Sequence, residues 1–562
     1  MLDKKNLLPK KDFISKMTPS KIRNLLLTKG FFPEVLPPCF DSSSLSRSFS
    51  GLIKTINNKR YNQRVSDFIR YNGTKHDYNR RYFGTVNPIP YFSVCNFIGK
   101  NWSIFEKKFE ESHFGISNLH FGDEKSDRAI IVPSLSEISP AFMRKLSYSP
   151  FMVKTDIAQF FPSIYTHSLP WVAHGKLASK SDTNRKSSSN FFNSLDWFIQ
   201  QCQNGHTRGV LVGPDAFRIV AEYMATEIDL ELKKRSSKWI VGCIRHVDDF
   251  YIGIKNEIEY SIVLSSLRDI LQSFELQIND SKTKLLNGLQ PIDDVWAQEL
   301  KRIHVPGFSA NNSDDLIFLI DKAFEISQNI NSQSPIKLVL RRFDRLKIYQ
   351  GDKWIDLEPR LQKILYHFPH CIDYVCLLLA KRFAIEKSID ASNWNSSIEI
   401  LIDKSINSNH HHELVWLLWV SIVCNFNISS KIISRASKVP NGYVKSILIS
   451  AFQLGILSEA PEIKLGGSLS TTDDNWLHNL VGKSTGFSGA KFSGSFSFEF
   501  EKLVTNGIKL IDFKRHMKNI SELEKEAISS TKYGYDSIEE DDEDDEERWF
   551  DSSEYWDDDL PY

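Results

Sequence analysis

The sequence predicts an α+β fold, one sheet backed by helices, followed by an α-helical region and a charged terminus. Three observations predict it. Between about Ile130 and Leu286 short β-type runs alternate with segments of helical period. After Asn287, leucine- and isoleucine-rich stretches of helical length follow one another, and the last 27 residues, Asp536 to Tyr562, hold fifteen acidic residues and one basic one, Arg548. The first pattern is that of a sheet with helical layers, the second of a helical array and the third of a solvated tail.

The elements follow in order. From Lys4 to about Ser126 the chain is basic, aromatic and rich in turn residues, with no clean period, and reads as short strands, loops and helices packed against something larger. FMVKTDIA, β-branched and aromatic and ending at an acid, reads as a buried strand. Gly213 and Pro214 then start a helix to Lys234 on which Phe217, Val220, Ala221, Met224 and Ile228 recur at helical spacing. WIVGCIRHVDDFYIGIK reads as a hairpin with acids at its tip, Glu257 to Glu275 as an amphipathic helix, and LQINDSKTKLL as a closing strand. Beyond Asn287, DLIFLIDKAFEI, PIKLVLRRFDRLKI, LEPRLQKILYHF, IDYVCLLLAKRFAI and HELVWLLWVSIVCNF suggest paired helices without a residue-level repeat. The serine- and glycine-rich segment from GGSLSTTDDNW to STGFSGAKFSGSF reads as a long surface loop before one further helix. The divisions are 1–129, 130–290, 291–460, 461–535 and 536–562.

Bulk properties exclude several classes. A chain of 562 residues exceeds any single small module. Seven cysteines, odd in number and never spaced CxxC, suggest neither a disulfide framework nor a zinc site and fit a reducing cytosol. MLDKKNLLPKKDF lacks the apolar run of a signal peptide and no stretch reaches 18 uninterrupted apolar residues, so neither secretion nor a membrane span is expected. The net charge of zero conceals an asymmetry: without the tail the body has 69 basic against 55 acidic residues, a surplus of 14. Such a body attracts polyanions, and an acidic tail on the same chain competes for that surface or is a disordered solubility segment.

One constellation carries chemistry. Nucleotidyl transfer uses two divalent cations clamped by carboxylates from separate strands. Asp156 in KTDIAQFFPSIY ends a strand, and Asp248 and Asp249 in RHVDDFYIG, 92 residues on, form an acidic pair on a hairpin. The first block resembles motif A of reverse transcriptases, and HVDD resembles their Tyr-x-Asp-Asp motif C, with His246 at the tyrosine position. TRGVLVGPDAFRIVAE resembles motif B and LQINDSKTKLL motif D. FFPSIYTHSLPWVAHGK and NPIPYFSVCNFIGKNW look most like bacterial abortive-infection and defence-associated reverse transcriptases, which join a polymerase core to a helical C-terminal region.

The resemblance implies a right-hand polymerase, with fingers within 1–129, a palm over 130–290 and a thumb-like helical domain over 291–460. Asp156, Asp248 and Asp249 would be catalytic and, with the Ile157 carbonyl, would hold two Mg2+ ions. Gln159, Phe161, Arg144, Lys154 and Lys282 would meet the deoxynucleotide, Phe161 as the aromatic gate against a 2′-hydroxyl and Lys282 near the leaving pyrophosphate. Arg208, Gly209 and His246 would meet template or primer. It further implies dNTPs as substrates, a DNA product, a noncoding RNA template where one is used, a homo-oligomer or second reverse transcriptase as partner, and antiviral work in the bacterial cytoplasm. Arg208 replaces a usual glutamine, Leu211 a proline and Phe217 a small polar residue, changes that touch template or primer handling and agree with protein-primed or template-free synthesis. The rival readings are a terminal-transferase-like activity and a non-catalytic nucleic-acid scaffold.

Three further features have plainer readings. His410, His411 and His412 are consecutive at a helix start and cannot all face one ion, so they read as a polar helix end. Lys337, Arg341, Arg342, Arg345 and Lys347 read equally as a duplex-tracking helix or a solvated face. Trp549, Phe550, Tyr555, Trp556 and Tyr562 interleave with the tail's acids, which imitates a charged single strand and suggests that the tail occupies a nucleic-acid channel.

Overall fold

The computed structural model describes residues 17–62, 64–75, 79–117, 119–123, 126–132, 135–289, 295–303 and 313–517. The acidic tail lies outside the described residues. The described residues form two compact units, one drawn from 1–31, 45–68 and 85–290, the other from 32–44, 69–84 and 291–517. Among the described residues no helix is long and apolar enough to cross a membrane.

The first unit is built on a four-stranded antiparallel sheet of β1 (Phe151–Asp156), β2 (Ile240–His246), β3 (Asp249–Ile254) and β4 (Lys284–Asn287), in the order β2-β3-β1-β4. Because facing residues in an antiparallel pair share a side, the register puts Lys154, Asp156, His246, Asp249 and Tyr251 on one face. Val153, Thr155, Cys243, Arg245, Phe250 and Ile252 take the other face, and all are buried. Two helices, α5 (Asp215–Ser236) and α6 (Ile258–Ser273), pack on each other, and α5 sends Glu222 and Asp229 to Arg245 on that buried face. Across the far end of the sheet the last turn of α2 (Leu135–Leu146) and the residues after it cross so closely that a Cβ at Gly242 would meet the Lys145 carbonyl oxygen at 2.0 Å, and one at Gly253 the Ser149 Oγ at 2.0 Å. Gly242 and Gly253 face each other in register, so glycine is required on both strands at this crossing.

The aperiodic N-terminal stretch contains a helix, α1 (Pro88–Lys100), where NPIPYFSVCNFIGK was read without a period. Every residue from Pro88 to Gly99 is buried, and a helix apolar on all sides has no amphipathic stripe to detect. Asn87 caps it, accepting from the Ile89 amide at 3.1 Å, with Pro88 in the first turn. Two more helices, α3 (Ser168–His174) and α4 (Phe192–Cys202), fold between β1 and α5, and α4 packs on α1 and α3.

The second unit is a helical stack: α7 (Asp314–Ile330), α8 (Ser334–Arg345), α9 (Trp354–His367), α10 (Ile372–Ile385), α11 (Ala391–Asn407), α12 (His411–Val423), α13 (Ser430–Ser437) and α14 (Gly442–Gln453). Odd-numbered helices touch odd and even touch even along the chain, α7-α9-α11-α13 forming one layer and α8-α10-α12-α14 the other. The inner helix α12 is buried from His412 to Ile422, including Trp416 and Trp419. The serine- and glycine-rich segment is more ordered than a loop: strands Ser468–Ser470 and Lys491–Ser493 pair in parallel and bracket a helix at Trp476–Ser484. Trp476, Leu477 and Leu480 bury one helical face, which the flanking turn residues masked in the sequence.

Two expectations are corrected here. Lys337 is 4% exposed and pairs with buried Asp373 at 3.2 Å, Arg341 Nε donates to the Tyr374 hydroxyl at 2.9 Å, and Arg342 donates to the Leu300 and Ile303 carbonyls. Lys337, Arg341 and Arg342 are thus tied into packing, while Arg345 is exposed. The histidines are not a plain polar end either: His412 is buried, with Nδ1 2.9 Å from the Tyr71 hydroxyl, and its neighbour Glu413 takes two bonds from Arg80.

Candidate catalytic site

Asp156 is the last residue of β1 and stands directly opposite Asp249, the first of β3, while Asp249 stands opposite His246 across the β2–β3 hairpin. Asp248 lies in the two-residue turn between them, and its carbonyl accepts from the Ile157 amide at 3.2 Å. Three carboxylates 92 residues apart in sequence are thereby brought to one end of one sheet by a strand end and a hairpin tip. Lys282 Nζ lies 3.4 Å from Asp156 Oδ2, and the Asp156 carbonyl accepts from the Asn279 amide at 2.9 Å, so the segment before β4 closes over the same carboxylate.

The hairpin tip is strained and held. Val247 adopts φ +52°, a left-handed conformation that a β-branched residue takes at a cost of about 1–2 kcal/mol. Its amide donates to Ser117 Oγ at 2.8 Å and its carbonyl accepts from Arg245 Nη1 at 2.7 Å. Arg245 is fully buried, its Nε and Nη2 each 2.8 Å from an Asp229 oxygen and its Nη2 2.7 Å from Glu222. Burial alone would lower the guanidinium's pKa, but Asp229 and Glu222 raise it above its ordinary value, so the charge stays in place. Glu222 and Asp229 are seven residues apart on α5 and therefore share a face. Even the approach is fitted: a Cβ at Gly115 would meet Arg245 Nη2 at 2.8 Å. Burial, with Arg245 and Arg218 adding to it, pushes the His246 imidazole down to about 3, so the ring beside the acids is neutral.

The segment after Asp156 is bound to the glycine loop before α5. Gln159 takes φ +46° and starts a short helix, Phe160–Ser163; Phe161 is 5% exposed. The Phe161 carbonyl accepts from Val210 at 2.9 Å and the Ile164 carbonyl from Gly209 at 2.7 Å. Gly209 has φ +90° and a Cβ there would lie 3.0 Å from the Pro162 carbonyl, so this contact requires glycine.

Among the residues singled out in sequence, the structure thus gathers Asp156, Ile157, Asp248, Asp249, His246 and Lys282, and bonds the segment of Phe161 to the loop of Gly209. Lys154 shares the acids' face, its ammonium 5.4 Å from the Tyr251 ring centroid. Arg144 is exposed near the end of α2, and Arg208 is exposed beside Tyr165, with which it forms a β-bridge. Phe217 is corrected: it is fully buried against Tyr91, so its departure from the motif B pattern is a matter of packing, not of template or primer handling. Sequence reasoning missed Arg245, Glu222, Asp229 and Ser117. The signal was present: an arginine on the apolar side of a strand demands carboxylates, and two acids stand at i and i+7 on the helix before it.

Three carboxylates and a peptide carbonyl are hard oxygen donors, the chemistry that magnesium takes. The donor set fits; as the side chains stand, however, no three acidic, histidine or cysteine groups among the described residues converge into a metal cage, and Lys282 sits on Asp156.

No protein-family model and no curated sequence matches the chain. Among solved structures it is similar to telomerase from Candida tropicalis, in complex with the TWJ fragment of telomeric RNA (13% identity, 66% of this chain and 67% of that one, TM-score 0.28) and in the apo form (13%, 67% and 73%, TM-score 0.27). It is also similar to the RNA-dependent RNA polymerase of BmCPV at elongation state, at 9% identity over 93% of this chain and half of that one, with TM-score 0.31. All three TM-scores fall below 0.5, and the functional reading rests on the site itself.

Proposed function

We propose that the chain is a nucleic-acid polymerase of the reverse-transcriptase type, joining deoxynucleotides through Asp156, Asp248 and Asp249. One observation carries the reading: a lone acid ending a strand stands in register with an acidic pair on a hairpin tip, with a glycine loop bonded to the segment behind the lone acid. Two magnesium ions, held by those carboxylates and the Ile157 carbonyl, would supply activation of the attacking hydroxyl and charge neutralisation of the triphosphate. The chain's own residues do the rest. Lys282, beside Asp156, would carry its charge to a leaving pyrophosphate; Phe161 would line the sugar's seat, and Gly209 and His246 would meet template or primer. The work belongs, on the motif resemblance, to bacterial antiviral defence.

The second reading is template-independent, protein-primed synthesis, favoured by Arg208 and Leu211 in the motif B block. The deciding experiment is labelled-dNTP incorporation by the purified chain with magnesium, with and without nuclease, beside Asp248→Ala/Asp249→Ala. Nuclease-sensitive synthesis lost in the variant supports templated copying, and nuclease-resistant label on the protein supports the second reading. Incorporation that survives in the variant overturns the site.

A further inference from the structure

Around the stretch between Asp156 and α5, with Tyr61 added from the N-terminal region, aromatic faces and cations form a row, most of it outside the four motif blocks. It begins next to the catalytic segment: the Gly209 amide bonds the Ile164 carbonyl, and Tyr165 forms a β-bridge with Arg208. The Tyr165 ring lies 5.7 Å from that of Trp171 on α3, and Lys176 and Lys180 stand over Trp171 at 4.2 and 5.8 Å from its centroid. His167 then bridges α3 to α4 through Asp196 at 2.6 Å. On α4 the neighbouring residue, Trp197, carries the Arg185 guanidinium 3.4 Å above its ring. One turn away Ser194 bonds the Tyr61 hydroxyl at 3.1 Å, and Lys186 stands over the Tyr61 ring at 5.7 Å.

Tyr61, Tyr165, Trp171 and Trp197 are each part-exposed, while Lys180, Arg185, Lys186 and Arg208 are exposed. Three acids lie along the row, Asp182, Asp196 and Glu275, the last exposed and near enough to Tyr165 to act on its hydroxyl. Asp196 is bonded by His167 and by Gln200 at 2.7 Å, and Asp182 folds onto its own loop, accepting from the Asn184 amide at 3.0 Å and from Ser187. Five cations, Lys176, Lys180, Arg185, Lys186 and Arg208, outnumber these three acids, so the surface carries a net positive charge with ring faces spaced among its cations. That is the pairing a single strand requires: phosphates meet cations, and unstacked bases find aromatic planes. A duplex, whose bases stack internally, offers only its phosphates.

We infer that the row Tyr165–Trp171–Trp197–Tyr61 is a binding track for single-stranded nucleic acid leading away from the carboxylates. The track's role in feeding or clearing the active site rests on the polymerase reading; the binding itself does not. It is measured with the full chain in EDTA, without nucleotides, by fluorescence anisotropy of a labelled DNA strand of about 20 nucleotides, between about 50 and 200 mM salt.

Lys180→Gln/Arg185→Gln/Lys186→Gln changes only exposed side chains and should weaken strand binding and flatten the log–log salt slope by about 2, three phosphate contacts at about 0.7 each. Trp171→Ala and Trp197→Ala should each weaken it roughly tenfold, as loss of one stacking plane does, with melting curves confirming the fold. Wild-type affinity and slope in the triple variant overturn the track, as does a blunt duplex of the same sequence that competes equally well. A chain that binds the strand as described but incorporates no nucleotide overturns the polymerase reading alone. One that incorporates nucleotide while the triple variant binds normally overturns the track alone.

Discussion

Phe161 and Gly209 are coupled through neighbouring backbone bonds, and each makes a distinct prediction. Shortening Phe161 to valine removes ring volume from the seat proposed for the sugar while keeping its carbonyl bond to Val210. Incorporation of ribonucleotides relative to deoxynucleotides should rise by about tenfold or more, on the order of 1.4 kcal/mol of lost discrimination; an unchanged ratio removes Phe161 from the gate. Gly209→Ala adds a methyl group 3.0 Å from the Pro162 carbonyl at a φ of +90°. It should cost about 1–3 kcal/mol in stability by denaturant titration, and wild-type stability would mean that the loop can open without strain. Asp156, Asp248 and Asp249 were legible at this scale because acids at a strand end and a hairpin tip carry a recognisable pattern. Phe217 was misjudged because a motif position does not say whether its side chain faces ligand or core.

At the scale of elements, the β2–β3 hairpin depends on the helix that precedes it, α5. Arg245 reaches from β2 to Glu222 and Asp229 on α5 and also bonds the Val247 carbonyl at the tip. Arg245→Met should destabilise the chain by about 3–5 kcal/mol, because it strands two buried carboxylates. Arg245→Met with Glu222→Gln and Asp229→Asn removes those charges too, and should recover part of the stability while incorporation stays low, since Val247 has still lost its clamp. Recovery of incorporation in the triple variant would mean that the cluster serves folding only. Sequence periodicity located the hairpin and α5 because both alternate apolar and polar residues. It missed α1, apolar on every side, and the Trp476–Ser484 helix, set among serines and glycines.

For the whole molecule, the helical unit holds histidines that burial keeps neutral: His412 and His516 pushed down to about 4, and His478 to about 3. The unfolded chain protonates them near 6.5, so it binds more protons below that pH and stability falls as pH drops from about 6.5 toward 4. Asp373 is depressed although burial alone would raise it, because the Lys337 ammonium and the Tyr374 amide favour its charge; Glu413 is depressed against the same burial by Arg80, and both lose their contribution in the same direction. Thermal melts should therefore shift down between pH 7 and 5, by up to about 1.4 kcal/mol per pH unit for each histidine, and a flat profile would mean that these rings reach water. Deleting residues 536–562 leaves the body's surplus of 14 positive charges unopposed and should tighten nonspecific DNA binding; equal binding before and after deletion removes the tail as a competitor.

The sequence by itself determined the alternation of strand and helix over 130–290, the helical character that follows, the charge asymmetry and the identity of the three acids. All of these are written in local period and composition, which the chain carries without folding. Only the tertiary structure decided that Asp156 faces Asp249 in register, that Lys282 lies on Asp156, that Arg245 clamps the strained Val247 turn, and that Tyr165 meets Trp171, His167 meets Asp196 and Tyr61 meets Ser194. Most of these are juxtapositions of residues apart in sequence, such as Asp156 with Asp249 or Arg245 with Glu222, set by strand register and helix packing, and neither quantity is encoded in any short window of residues.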